Sequence, residues 1–244
     1  MRTSNPMMKE SVFTQAISGT ETMTLQGAVN KTIALLALVV IGAGYTYTWN
    51  LFYNQGPAAT QPWMIGGLIG GFVFAMITIF KANWAPKTAP LYAVLEGLAL
   101  GGISAFFEAR YPGIVIQAVG LTFGTLFALL FAYKSGLIRA TENFRLGVFA
   151  ATGGIALVYL VSFVGRMFGW QMPIIHESGP MGILFSLFVV VVAALNLVLD
   201  FDFIERGHGV APKYMEWYAA FGLIVTLVWL YLELLRLLAK LRER

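Results

Sequence analysis

Five carboxylates sit inside or at the ends of long apolar runs. They are Glu96 in "YAVLEGLALGGIS", Asp200, Asp202 and Glu205 in "LNLVLDFDFIERG", and Glu233 in "LYLELLRLL". Ionisable residues inside apolar spans are costly and are functional candidates by default. Grouped carboxylates in such a setting attract hard cations, Ca²⁺ above all, because that ion takes only oxygen ligands. Burial and a like-charged neighbour also disfavour the ionised form, which couples the group to protons. Together these point to a proton-sensitive cation pathway. Asn196 lies one turn before Asp200 on the same helix face, so an amide and a carboxylate are presented together. Asp202 and Glu205 read as the interfacial end of a helix beside Arg206. Glu233 and Arg236 read as an i, i+3 ion pair near a helix end.

Other chemistries are excluded or weakly supported. The chain has no cysteine, so it has no disulfide, thiolate nucleophile or Cys-ligated metal. His176 and His208 fall in expected loops and suit no metal site. No HExxH, GxSxG or phosphate-binding loop is present, and Ser104, although set among glycines, has no histidine within a span. No enzymatic activity and no resident cofactor are expected. A transient Ca²⁺ is the one metal anticipated, with Asp200 and Glu96 as its ligands. The formal charge of +4 speaks to membrane topology, not to nucleic acid.

The elements that must position these groups follow from composition. Of 244 residues, 58% are hydrophobic and only 11% charged, less than half the charged fraction of soluble domains, about a quarter. The chain is therefore best counted in membrane spans of about 20 residues. Seven are predicted, at 30–52, 63–80, 90–108, 113–133, 144–168, 180–203 and 217–238, separated by Pro, Gly or charge clusters. Trp49 and Tyr53 serve as interfacial anchors of the first. Residues 1–28 read as a polar, flexible or surface-lying tail without a signal peptide, and 29–244 as the membrane domain. Glycines at 66 and 70, 67 and 71, and 97 and 101 are four apart, on faces where helices approach closely. Gly153 and Gly154 also lie within a span.

Lys and Arg near the span ends set the orientation. With the N-terminus in the cytoplasm, the inner side holds Arg2, Lys9, Lys31, Lys81, Lys87, Lys134, Arg139, Arg145, Arg206 and Lys213, against Arg110 and Arg166 outside. The C-terminal Arg236, Lys240, Arg242 and Arg244 run against that bias, unless the last segment re-enters. In this frame Glu96 lies about 9 Å into its helix, at the depth of Asp200, and Glu233 lies about 24 Å into the last helix, near the opposite face.

The three quoted stretches, in this order over seven spans, resemble the Bax inhibitor-one (TMBIM) superfamily, and within it a bacterial YccA-like branch. The resemblance implies an all-α membrane protein in which the last helix is wrapped by the other six. It implies a pH-sensitive Ca²⁺ leak, or Ca²⁺/H⁺ exchange, governed by an aspartate of the sixth span paired with one of the seventh. Asp200 matches the first; Thr226 stands where the second belongs. Glu96 is expected to supply the missing carboxylate, with Asn196 and Thr226 as polar lining. The expected surroundings are the bilayer of a bacterial inner membrane, with cations and protons as partners. The alternative implied by the resemblance is a modulator or partner of an FtsH-type membrane-anchored protease, using the N-terminal tail as a handle.

Overall fold

The computed structural model describes residues 21–53, 56–169 and 179–243. Within them the chain is almost wholly helical, with seven helices long and apolar enough to cross a membrane. They are α1 (Leu25–Tyr53), α2 (Gln61–Phe80), α3 (Ala85–Arg110), α4 (Ile114–Lys134), α5 (Glu142–Met167), α6 (Pro180–Gly207) and α7 (Met215–Arg242). His176 and the side chains of Trp49 and Tyr53 lie outside the described residues, as do residues 1–20 of the tail.

The helices overrun the predicted spans mainly where polar residues continue them. α1 starts at Leu25, inside the expected tail, because the Thr24 hydroxyl caps it by accepting the Gly27 amide at 2.9 Å. α3 starts at Ala85 rather than Pro90. Pro86 is tolerated in its first turn, and Pro90 forfeits only one main-chain bond of the second. α6 and α7 run four residues past their apolar segments, to Gly207 and Arg242.

Contacts at the helix ends define two poles. At one, Met23 exchanges main-chain bonds with the α6–α7 loop (Met23 N to Ala211 O, 2.8 Å; Gly209 N to Met23 O, 2.9 Å). There too Lys31 lies over the Trp217 ring, and Arg145 of α5 pairs with Asp202 of α6. At the other pole, Glu243 meets Arg110 and Tyr111 of the α3–α4 turn. The last helix therefore traverses the bundle instead of turning back, and the first and last described residues, Glu21 and Glu243, lie at opposite poles. The basic tail is engaged there: Lys240 donates to Gly182 O at 2.9 Å and Arg242 to Pro112 O at 2.7 Å.

α7 is the most buried helix, 61% of its apolar window being inside the structure. α6, α1, α4 and α3 pack closely around it. α2 instead packs on α3, and α5 packs on α6, reaching α7 through side chains. The wrap expected of six helices is thus made by four, with α2 and α5 as outer layers.

The glycines divide into two groups. A Cβ on Gly97 would lie 2.4 Å from Val39 O, one on Gly101 2.3 Å from Ala43 O, and one on Gly67 2.5 Å from Leu95 O. These let α1 and α2 press directly on α3, as small residues do between membrane helices. Gly66, Gly153 and Gly154 face open space.

Candidate functional site

Asp200 lies about 10 Å from the inner end of α6, where that helix packs on α7. Its carboxyl faces Gly222, where a Cβ would stand 3.9 Å from Oδ1, and the Thr226 hydroxyl lies against it. Thr226 in turn donates to the carbonyl of Gly222 at 3.2 Å. Part of Asp200 reaches the surface, but its Oδ2 is buried without a hydrogen-bond partner among the described residues. Leaving such an acceptor unsatisfied is costly, more so if it is charged. The position matched to the family's second aspartate, Thr226, does face Asp200.

Glu96 goes elsewhere. Its Oε2 points at Gly71 of α2, 2.9 Å from where a Cβ would be. Glu96 lies about 16 Å along α3 from Ala85, the two acids face different helices, and nothing described brings them into contact. Depth along a span carries no information about rotation around the bundle, so the expected pairing does not form. Asn196 also turns away from Asp200. Its amide donates to Thr152 Oγ1 of α5 and to Val192 O, both at 2.8 Å.

Of the remaining acids, Glu233 pairs with Arg236 and Asp202 with Arg206 as the sequence suggested, while Arg145 and Tyr133 are partners it did not. Asp202 bridges Arg145 at 3.2 Å and Arg206 at 3.1 Å. Glu205 accepts from the Tyr133 hydroxyl. Glu233, only 2% exposed, receives Arg236 Nη1 at 2.9 Å and the Tyr159 hydroxyl at 2.9 Å. Arg236 also donates to Tyr159 Oη at 2.6 Å. No three His, Cys, Asp or Glu side chains converge as a metal cluster among the described residues. Asp200 and Thr226 together present three side-chain oxygens, fewer than the six to eight that Ca²⁺ takes.

Several groups were not singled out from the sequence. Glu216, 1% exposed, accepts from Thr24 N (3.0 Å) and Thr24 Oγ1 (2.9 Å), and pairs with Lys213 at 3.3 Å. Ser104 and Tyr231 share a 2.7 Å bond between α3 and α7. They line an apolar cavity of about 300 Å³ with residues of α1 and α4 such as Val39 and Val119. Thr152 and Tyr159 stand seven apart on α5, one helix face, which is the signal that could have found them.

Seven traversing helices and a buried unpaired carboxyl against the last of them define an integral membrane protein with an acidic site in its core. The family model for Bax inhibitor 1 like proteins matches residues 5–243, and the chain belongs to that family. The serine/threonine exchanger SteT of Bacillus subtilis (strain 168) is 26% identical over 165 residues, which cover 60% of this chain and 34% of that protein. The chain thus spans about a third of the length of the curated relative it matches. No solved structure matches.

Proposed function

We propose that the protein is a transport protein of the bacterial cytoplasmic membrane: a pH-sensitive cation (Ca²⁺) leak channel or Ca²⁺/H⁺ exchanger. Asp200 is its ion-binding acid and Thr226 the hydroxyl facing it. The observation that carries the reading is the buried, unpartnered Oδ2 of Asp200. A carboxyl so placed is stable when it holds a proton or a cation and unstable as a bare anion, so occupancy by one excludes the other. Family membership and the partial likeness to an exchanger support transport in general. The gathering of Lys31, Lys213 and Arg206 at the pole of residue 21 supports a cytoplasmic N-terminus. The arrangement differs from a two-aspartate gate in having one carboxyl and one hydroxyl. A single ionisable group should give a simple one-proton dependence.

The test is Ca²⁺ flux in proteoliposomes between about pH 6 and pH 8, a range over which a buried carboxyl can titrate. Flux that varies with pH in the wild type, and loses that variation in Asp200→Asn, is expected. No flux, or an unchanged profile in D200N, overturns the reading. Absence of Ca²⁺ flux with retained association to an FtsH-type protease would favour the partner role. Exchange of serine or threonine in the same vesicles would favour a solute exchanger.

A further inference from the structure

α5, α6 and α7 meet along a seam in which polar and apolar residues alternate at matching heights. Heights follow from about 1.5 Å per residue, counted from the pole where residue 21 lies. On α5, Thr152 lies at about 15 Å, Ile155 at about 20 Å and Tyr159 at about 26 Å. On α6, Asn196 lies at about 16 Å and Val192 at about 22 Å. On α7, Thr226 lies at about 16 Å, Trp229 at about 21 Å and Glu233 at about 27 Å, all on the face that also carries Gly222, Arg236 and Lys240. The hydrogen bonds agree with this registry: Asn196 to Thr152, and Tyr159 to Glu233 and Arg236.

The seam therefore has an inner polar stretch (Asp202 with Arg145, then Asp200, Thr226, Asn196 and Thr152) and an outer one (Tyr159, Glu233, Arg236). Between them stands one dry layer. Ile155 and Val192, at about 20 and 22 Å, form it with Trp229; Val189, one turn further out at about 27 Å, belongs to the same buried cluster, on which Tyr159, Phe185 and Ala151 also pack. Among the described residues, three of the four buried side-chain polar atoms lacking a partner belong to α5 or α6: Arg145 Nε, Ser186 Oγ and Asp200 Oδ2. α5, whose packing is mainly on α6, is the helix least tied into the bundle.

We propose that this seam is a proton route across the protein, interrupted by the Ile155–Val192 layer acting as a hydrophobic gate. Constrictions of this kind block conduction by excluding water and open when wetted. Beyond Asp200 a divalent cation finds no unpaired carboxylate in the seam, since Asp202 is held by Arg145 and Arg206 and Glu233 by Arg236. Arg206 lies at the inner mouth and Lys240 at the outer one. A proton needs no ligand shell: it passes by exchange along hydrogen-bonding groups and water, with Asp200 and the Tyr159 hydroxyl among the groups along the line. The route supplies the proton limb of the transport proposed above and rests on that reading only for its purpose.

The experiment uses the full chain in vesicles, with proton flux driven by a potassium diffusion potential and read by an entrapped pH dye. Val192→Ser, which wets the layer, should raise proton flux at least about tenfold, the effect of lowering the barrier by about 1.4 kcal/mol, and leave Ca²⁺ flux unchanged. Ile155→Thr serves as a second variant should V192S fail to fold. Adding Asp200→Asn to either should abolish the gain. Because the chain has no cysteine, single-cysteine probes give a readout independent of transport. Thr152→Cys should react with a membrane-impermeant thiol reagent from the inner side, while Leu157→Cys, 63% exposed on the outer flank of α5, should stay shielded by lipid. Unaltered proton flux in both folded plug variants, an equal rise in Ca²⁺ flux, or an unreactive T152C overturns the proposal. A wild type inactive for Ca²⁺ whose V192S variant conducts protons would defeat the Ca²⁺ reading and leave the seam standing.

Discussion

Replacing Gly101 by alanine tests the closest approach of a glycine to the main chain of a neighbouring helix among the described residues. The added Cβ would sit 2.3 Å from Ala43 O and 2.9 Å from Thr46 Cβ. Carbon–oxygen contacts between helices settle near 3.3–3.6 Å, so α1 must withdraw from α3 by about 1 Å at this point. The obstacle is main-chain carbonyl, not a side chain that can rotate away. Close-packed interiors do not absorb such a shift freely, and overpacking by one methyl costs about 1–3 kcal/mol. Taking about 2 kcal/mol, the folded fraction relative to unfolded falls roughly thirtyfold. For a chain of this length the melting temperature drops by about 4–8 °C. Gly154→Ala is the matched control. Nothing lies within 4 Å of its would-be Cβ, and alanine in a helix gains about 0.5–1 kcal/mol over glycine. Tryptophan fluorescence during thermal unfolding in detergent reads both. A G101A variant as stable as wild type, or a G154A variant equally destabilised, refutes the division of the glycines into packed and idle.

Three further outcomes follow from buried polar pairs. Arg236→Gln strands Glu233 inside the bundle with Tyr159 alone. Breaking a buried pair costs about 3–5 kcal/mol, reduced to roughly 2–3 because Arg236 is partly exposed, and the double variant E233Q/R236Q should recover most of the loss in the same thermal assay. Ser104→Ala and Tyr231→Phe should each cost about 1–2 kcal/mol, and the double variant less than their sum, since the two share one bond. Glu216→Gln removes a charged acceptor of Thr24, worth about 1.5–3 kcal/mol; limited proteolysis should then cut near residues 21–24 faster, and an unchanged cleavage rate would count against the anchor.

The fold was legible because a membrane forces every span to be a long apolar helix, and seven runs announced themselves. Their ends were less so. Apolarity marks the lipid slab, whereas helices such as α6 continue through Asp202, Glu205 and Arg206 into the interface. The ion pairs Asp202–Arg206 and Glu233–Arg236 were readable because both partners lie on one helix at a spacing helix geometry fixes. Asp200 facing Thr226 was reached by resemblance and fits the structure. The pairing of Glu96 with Asp200 was not recoverable, because hydropathy gives depth and says nothing of azimuth. Asn196, assigned to the face of Asp200, bonds Thr152 for the same reason: two residues one turn apart can serve different neighbours when three helices meet.

The short segment before α1 has a mechanical meaning. Residues 21–24 are stitched to the α6–α7 loop by the main chain of Met23 and to the first turn of α7 by Glu216. Tension applied to the chain ahead of residue 21 is therefore borne first by that loop, the hinge joining the helix of Asp200 to the helix of Thr226, and only then by α1. Whatever grips the N-terminal tail pulls directly on the joint between the two halves of the acidic site.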